Sequence, residues 1–407
     1  MPLQKPLSAT TIILDQPPSC LQTCPASPNH IIIGTYLLTE TKDAEGAIQQ
    51  TKTGSLQLWH LTPETNTLSL IQKVPLPYAV FDLHFHPRVP SLLAITTSAA
   101  SVALFRVSSS GPLPEIQHVW TKPVHEDPSI PALFLAWTPT NWLNQAQADG
   151  FAVTFSDGRT TVFGARDGDV AGPCDEVAEL GSFAAREMIE VWFVALGTFS
   201  EPDSAGEMQV PYLFTGNDFG SLHTRRFDCG DGGELLGPLL LDHDDRARHH
   251  TSGVTAILPL PVAVEAGAPL VLTGSYDECL RVYHATRRGE VLAEEGLGGG
   301  VWRLQLVRTE CVSLEGGEEW KFLVLASCMH AGTRVVRVTR KLGHGGEGSV
   351  WGIDVLAEFT EHESMNYASD VWKPEGGYDL QGKEMSELLF VSCSFYDRRL
   401  CLWRVNV

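Results

Sequence analysis

The chain has 407 residues, 43% of them hydrophobic and 19% charged, which supplies apolar material for a large core and carries no signature of disorder. Its 49 acidic against 29 basic side chains leave a formal charge of −20, which argues against direct nucleic-acid binding, a mode that needs a basic footprint, and favours a basic partner. No apolar run approaches the roughly 20 residues that cross a bilayer, and Met1 to Thr10 lacks a basic flank followed by an apolar stretch, so a cytosolic protein is expected.

Taken in chain order, the first strand signal is the β-branched run Thr10 to Leu14, which has no unit of its own. A repeating frame follows, in which an apolar run leads through a turn into a second strand ending on an aromatic or apolar residue. Ile31 to Tyr36 leads by a long insertion to Trp59, Leu92 to Thr96 leads to Phe105, and Phe151 to Phe155 leads through Asp157 to Phe163. Tyr212 to Thr215 leads through Asp218 to Thr224, Val271 to Ser275 through Asp277 to Tyr283, Phe322 to Ala326 to Val336, and Phe390 to Ser394 through Asp397 to Trp403. In the two plainest copies six positions separate the aspartate from the aromatic. A further short apolar run precedes most copies, as in Phe81 to Phe85, Leu133 to Trp137, Ile189 to Val194, Val254 to Leu258 and Val301 to Leu306.

Each unit thus offers three or four short strands, with period-2 alternation such as Leu280 and Val282 against Arg281 and Tyr283, and helical periodicity is nearly absent. Seven such units predict an all-β, seven-bladed β-propeller of the WD40 type, one domain over residues 1–407. Thr10 to Leu14 is expected to complete the seventh blade and remove the open edge. Surface loops are expected near 164–181, 228–249 and 341–349, where Gly, Asp and Ser gather. The nine cysteines, odd in number and scattered, read as reduced; Cys20 and Cys24 form a lone spaced pair, and no zinc or other metal site is expected.

The frame also sorts the polar residues. His250, Asp277 and Tyr283 in the fifth blade, and His362, Asp397 and Trp403 in the seventh, read as structural sets in which the turn aspartate takes bonds from backbone amides and the histidine. The sixth blade breaks the pattern: Cys328-Met329-His330-Ala331-Gly332 puts His330 in the slot that other blades give to aspartate, and imidazole suits acid–base work near neutral pH. Gly298 to Arg303 and His362 to Trp372 exceed what a blade requires and are expected at the channel mouth. No G-x-S-x-G, H-E-x-x-H, phosphate-cradling or dinucleotide motif is present, so pattern alone describes an interaction scaffold that needs no cofactor.

Several of these segments resemble a WD40 family, the diphthine methylesterases of diphthamide biosynthesis: Gly34-Thr35-Tyr36, Gly274-Ser275-Tyr276-Asp277-Glu278, Gly299-Gly300-Val301-Trp302-Arg303, Cys328-Met329-His330-Ala331-Gly332, His362-Glu363-Ser364 with Tyr367 and Asp370, and Ser392 to Asp397. The family pattern has glycine where this chain has Ala368, and Trp372 is shifted by Val371. The resemblance implies hydrolysis of the methyl ester of methylated diphthine on elongation factor 2. No cofactor or metal is expected, and the acidic charge, the lack of a long apolar run and the closed propeller lead to the expectation of a monomer that binds neither nucleic acid nor membrane. It suggests His330 as the base for water, Arg303 or the amides of Gly299 and Gly300 for the oxyanion, and Asp277 or Asp397 to orient the base. Trp302, Tyr276, Tyr396 and Tyr367 would hold the trimethylammonium group. Covalent routes through Ser364 beside His362, or Cys328 beside His330, are alternatives. A non-catalytic adaptor, or a trafficking factor, are the rival readings.

Overall fold

The computed structural model describes every residue except 1, 43–45, 109–113, 146–147, 166–167, 204–205, 230–232, 315–316, 344–348, 382 and 384. Seven antiparallel sheets follow one another along the chain as blades 1 to 7. Their first strands are Pro18–Thr23, Val80–Phe85, Ala132–Trp137, Val191–Asp203, Val254–Pro259, Arg303–Leu314 and Asn366–Val371. These lie side by side around a central channel and close the ring, blade 7 against blade 1. Among the described residues the only helical segment is one 3-10 turn, Cys174–Glu176. The seven-bladed, all-β propeller expected from the repeats is what the chain forms.

Closure uses the strand that had no unit of its own. Ser8–Ile13 pairs antiparallel with Arg399–Asn406, and the Leu14 amide donates to the Arg398 carbonyl at 2.8 Å. Blade 7 therefore takes three strands from the end of the chain and its outer strand from the beginning. Blade 1 has an extra feature: Leu37–Lys42 pairs with the first part of Ile48–Thr62, forming a hairpin that extends beyond the blade. The runs 164–181, 228–249 and 341–349 contain strand residues at Ala178–Ala184, Leu239–Asp244 and up to Gly343, while 166–167, 230–232 and 344–348 lie outside the described residues.

Period-2 alternation marked the strands, but in the middle of the blades it does not mark a solvent-facing side. The second strands His30–Thr35, Leu92–Thr97 and Leu270–Ser275 are buried at every position, and so are Arg281 and Tyr283 in the third strand of blade 5. Neighbouring blades cover both faces of each sheet, so the middle strands have no solvent side. The polar residues on them are satisfied inside: Arg281 bonds to Asp277 and Glu294, and Tyr283 donates to Asp245 at 3.0 Å.

Candidate functional site at the channel mouth

The first strand of six blades begins with a register shift that leaves one residue unpaired: Ser19, Phe81, Leu133, Trp192, Thr255 and Tyr367. Trp302 holds the matching place in blade 6, just before Arg303, with its amide bonded to Ser327 O at 2.8 Å. A bulge of this kind re-aims a side chain out of the sheet. Five of these seven residues, Ser19, Phe81, Trp192, Trp302 and Tyr367, line one pocket of about 520 Å³ at the mouth. Tyr276 and the pair Phe395 and Tyr396, from the turns of blades 5 and 7, join them, with Tyr36, Leu37 and Leu38 at the base of the blade 1 hairpin.

The rings touch in sequence around the mouth. Trp192 meets Trp302 at 5.5 Å between centroids, Trp302 meets Tyr367 at 5.1 Å, Tyr367 meets Phe395 at 5.6 Å, Phe395 meets Tyr36 at 6.2 Å and Tyr36 meets Phe81 at 5.4 Å. Most contacts are tilted or edge-on, the arrangement that suits the aromatic quadrupole and leaves ring faces toward the enclosed space. Trp192 is fixed by its indole N–H donating to Asp218 at 2.7 Å. Burial, together with nearby Asp218 and Tyr367, pushes the Tyr276 phenol up, and burial raises Tyr367 and Tyr36, so these rings stay neutral at physiological pH. A neutral aromatic enclosure in a chain of charge −20 suits a cation that carries methyl groups rather than hydrogen-bond donors.

Beneath the rings, Arg303 spans the channel to Asp82 of blade 2, with Nε at 3.0 Å and Nη2 at 2.5 Å from Oδ2. Its Nη1 is taken by the carbonyls of Thr255 and Trp302, and its guanidinium lies over Phe134 at 4.8 Å and Trp302 at 4.6 Å. Burial alone would raise the Asp82 carboxyl, but Arg303 and His84 hold it down at about 2, so the floor is a closed ion pair. With Nε and Nη2 held by Asp82 and Nη1 by the two carbonyls, Arg303 supports the site from below.

The other sequence candidates fall into two groups. Asp277 accepts from the Thr251 amide at 2.9 Å, the Cys279 amide at 3.2 Å and Arg281 at 2.9 Å; burial is outweighed by these partners and its pKa is lowered. Asp397 likewise accepts from the Glu363 amide at 2.9 Å and from Ser364 Oγ at 2.6 Å, and Ser364 in turn accepts from the amides of Tyr396 and Asp397. His362 bonds through Nε2 to Ser392 at 2.8 Å, and Trp403 donates to the same hydroxyl at 3.0 Å; His250 does the same to Thr273 at 2.8 Å. The structural sets thus run through a hydroxyl on the second strand, where the sequence reading joined histidine to aspartate directly. Burial pushes the Cys328 thiol up to about 12, and Cys328 is fully buried.

His330 and the glycines before Trp302 form the second group. His330 is exposed, and among the described residues its imidazole has no hydrogen-bond partner. Its turn is fixed without a carboxylate: Cys328 N donates to Gly332 O at 2.7 Å, and Met329, at φ 43°, bridges to Asn366 of blade 7. A Cβ on Gly299 would meet Cys328 O at 2.3 Å, and one on Gly300 would meet Met329 Sδ at 2.8 Å, so the consecutive glycines let this turn lie directly against the Trp302 segment. The amides of Gly299 and Gly300 make no hydrogen bond among the described residues. His330 is carried on this turn, which packs against the Trp302 segment, and is not part of the pocket's lining.

No family model matches the chain. Among curated proteins it is similar to the diphthine methyltransferase of Schizosaccharomyces pombe, 33% identical over 38% of each chain, and to the human diphthine methyltransferase, 27% identical over 30% of this chain and 23% of that one. The Dictyostelium discoideum diphthine methyltransferase homolog is 22% identical over 97% of this chain and 98% of its own. These similarities support the resemblance to the WD40 diphthine methylesterases read from the sequence. The matches to the first two relatives span 38% and 23% of those proteins' lengths. Among solved structures, Chaetomium thermophilum Sqt1, in one case bound to the N-terminus of ribosomal protein L10, superposes with a TM-score of 0.54 at 14% identity over 97% of this chain and 98% of that one, which speaks to the fold. The segments that carry the resemblance contribute Tyr276, Trp302, Tyr367 and Tyr396 to one pocket. Trp192 and Phe81 were passed over because each sits inside a run read only as a strand; the aligned Val-Trp of Val191-Trp192 and Val301-Trp302 was the available signal.

Proposed function

We propose that the protein acts in diphthamide biosynthesis, hydrolysing the methyl ester of methylated diphthine on elongation factor 2. The observation that carries this reading is the aromatic enclosure: the substrate side chain bears a trimethylammonium group, which offers no hydrogen-bond donor and is recognised by ring faces. With that group seated among Trp192, Trp302, Tyr276 and Tyr367, the ester on the same side chain lies at the mouth, near the free amides of Gly299 and Gly300. In our reading His330 takes a proton from water, the water oxygen bonds to the acyl carbon, and those amides hold the developing oxyanion. The C–O bond to methoxide then breaks, the proton passes to methoxide, and methanol and the free carboxylate leave.

The relatives' name, diphthine methyltransferase, speaks of methyl transfer, whereas this reading ends in methanol, and one assay separates the two. Elongation factor 2 carrying the methylated intermediate is incubated with the protein and no methyl donor, and its mass and the released methanol are followed. Loss of one methyl group with matching methanol is expected, and His330→Ala lowers kcat by about a hundredfold or more if His330 is the base. Unchanged substrate mass contradicts the hydrolase reading; near wild-type kcat in folded His330→Ala removes His330 from it. A binding-only adaptor is the second reading, favoured by the engagement of Asp277, Asp397, Ser364 and Arg303 in internal bonds, and it predicts tight binding of the factor without methanol.

A further inference from the structure

Away from the mouth, the flank between blades 4 and 5 holds a groove of about 850 Å³ that shares no lining residue with the aromatic pocket. Five arginines line it, from three places in the chain: Arg186 before blade 4, Arg246 and Arg248 in the connection from blade 4 to blade 5, and Arg287 and Arg288 in the last turn of blade 5. The local carboxylates are already engaged. Asp242 pairs with Arg225 at 3.2 Å, Asp244 lies 3.4 Å from His223 and accepts from the Arg246 amide, and Glu187 is 3.8 Å from Arg186. Arg246, Arg248, Arg287 and Arg288 have no carboxylate within ion-pair distance among the described residues, in a chain where acids outnumber bases 49 to 29.

Gathering four unpaired guanidinium groups is unfavourable unless something anionic joins them. The fold nevertheless holds them in place. Buried Asp245 accepts from the Leu222 amide at 2.9 Å, the Ala247 amide at 3.1 Å and the Tyr283 hydroxyl at 3.0 Å, tying the blade 4 connection to blade 5. His249 Nε2 bonds to the Arg288 carbonyl at 3.0 Å, which fixes the second arginine pair against the first. Between these anchors Arg246 and Ala247 sit in the left-handed region, at φ 58° and 51°, a conformation that costs roughly 1 kcal/mol or more per non-glycine residue and persists where its surroundings over-determine it.

We propose that this groove is a binding site for a compact anion carrying two or more phosphate groups. Guanidinium forks match phosphate oxygens in pairs, and two phosphates supply the three to four negative charges that four arginines leave unanswered. A long nucleic acid fits less well, because most of its length would face a surface of net charge −20, whereas a short dense anion feels chiefly the field within a Debye length, about 8 Å at physiological salt. The phosphate can be free, as in a small polyphosphate, or carried on a doubly phosphorylated peptide.

Calorimetric titration of the full chain with inorganic tripolyphosphate, with sulfate, and with a doubly phosphorylated serine peptide and its unmodified form tests this. Tripolyphosphate is expected to bind, more weakly as salt rises, and Arg246→Gln/Arg288→Gln is expected to lose about tenfold or more in affinity. The tryptophan fluorescence response to tetramethylammonium, which reports the aromatic pocket, should be the same in both proteins and shows that the variant is folded. Stronger binding of the phosphopeptide than of tripolyphosphate assigns a protein-borne ligand, and the reverse order a free one; either supports the site. Equal affinity of wild type and variant, or tripolyphosphate binding no tighter than sulfate, overturns it.

Discussion

Arg303 shows how a residue's type and its work can part company. Its place in Val301-Trp302-Arg303 was legible as unusual, and a lone arginine at a channel mouth suggests a charge stabiliser. What the sequence does not display is Asp82, more than two hundred positions earlier, brought opposite it by ring closure. Removing one partner leaves the other charge buried in the floor, so Asp82→Leu and Arg303→Met are each expected to destabilise the fold by about 3 kcal/mol, while the double variant, with no orphan charge, loses less than the two singles together. Denaturant unfolding checks this; single variants within 0.5 kcal/mol of wild type, on the order of a neutral surface change, would show the pair is not a structural floor. Trp302, Tyr276, Tyr367 and Tyr396 were readable as a group because their segments depart from blade norms. Trp192 and Phe81 were harder, since an aromatic in a strand is ordinarily core, and only the bulge at the start of each first strand turns them toward the mouth.

At the scale of the element, the turn-and-strand frame carried most of the fold, because each blade repeats one spacing and neighbours stack without long-range choices. The structural sets His362–Ser392–Trp403 and His250–Thr273 belong here. Burial lowers the His362 pKa to about 4 and that of His250 to about 3, against 6.5 in an unfolded chain. Both imidazoles are neutral in the folded blade, so the unfolded chain binds more protons below pH 6.5. Stability is complete above 6.5 and falls as pH drops toward 4, by up to about 1.4 kcal/mol per pH unit for each histidine. Melting temperature measured between pH 7 and 5 should fall, and His362→Gln, which keeps a side-chain hydrogen bond available to Ser392, should flatten the fall; an identical pH slope in the two proteins would contradict this assignment.

For the whole molecule, the propeller is a ring that brings one side chain from each of several blades to a single opening, which a short linear motif cannot do. That is why the fold and its closure by Ser8–Ile13 were plain from sequence while the pocket was only partly so: its members, Tyr36, Phe81, Trp192, Tyr276, Trp302, Tyr367 and Phe395, lie in six different blades. The same separation explains the absence of a familiar hydrolase motif, since in our reading the enclosure does the recognition and His330 with two backbone amides does the chemistry. The central claim is that the mouth recognises a methylated cation. It is tested most directly by calorimetric binding of a peptide bearing methylated diphthine against the same peptide with a neutral tert-butyl group in place of trimethylammonium. Cation–π contact from several rings, each worth roughly 0.5 to 2 kcal/mol, predicts at least about tenfold tighter binding of the charged peptide, lost in Trp302→Leu. Equal affinity for the two peptides would contradict it.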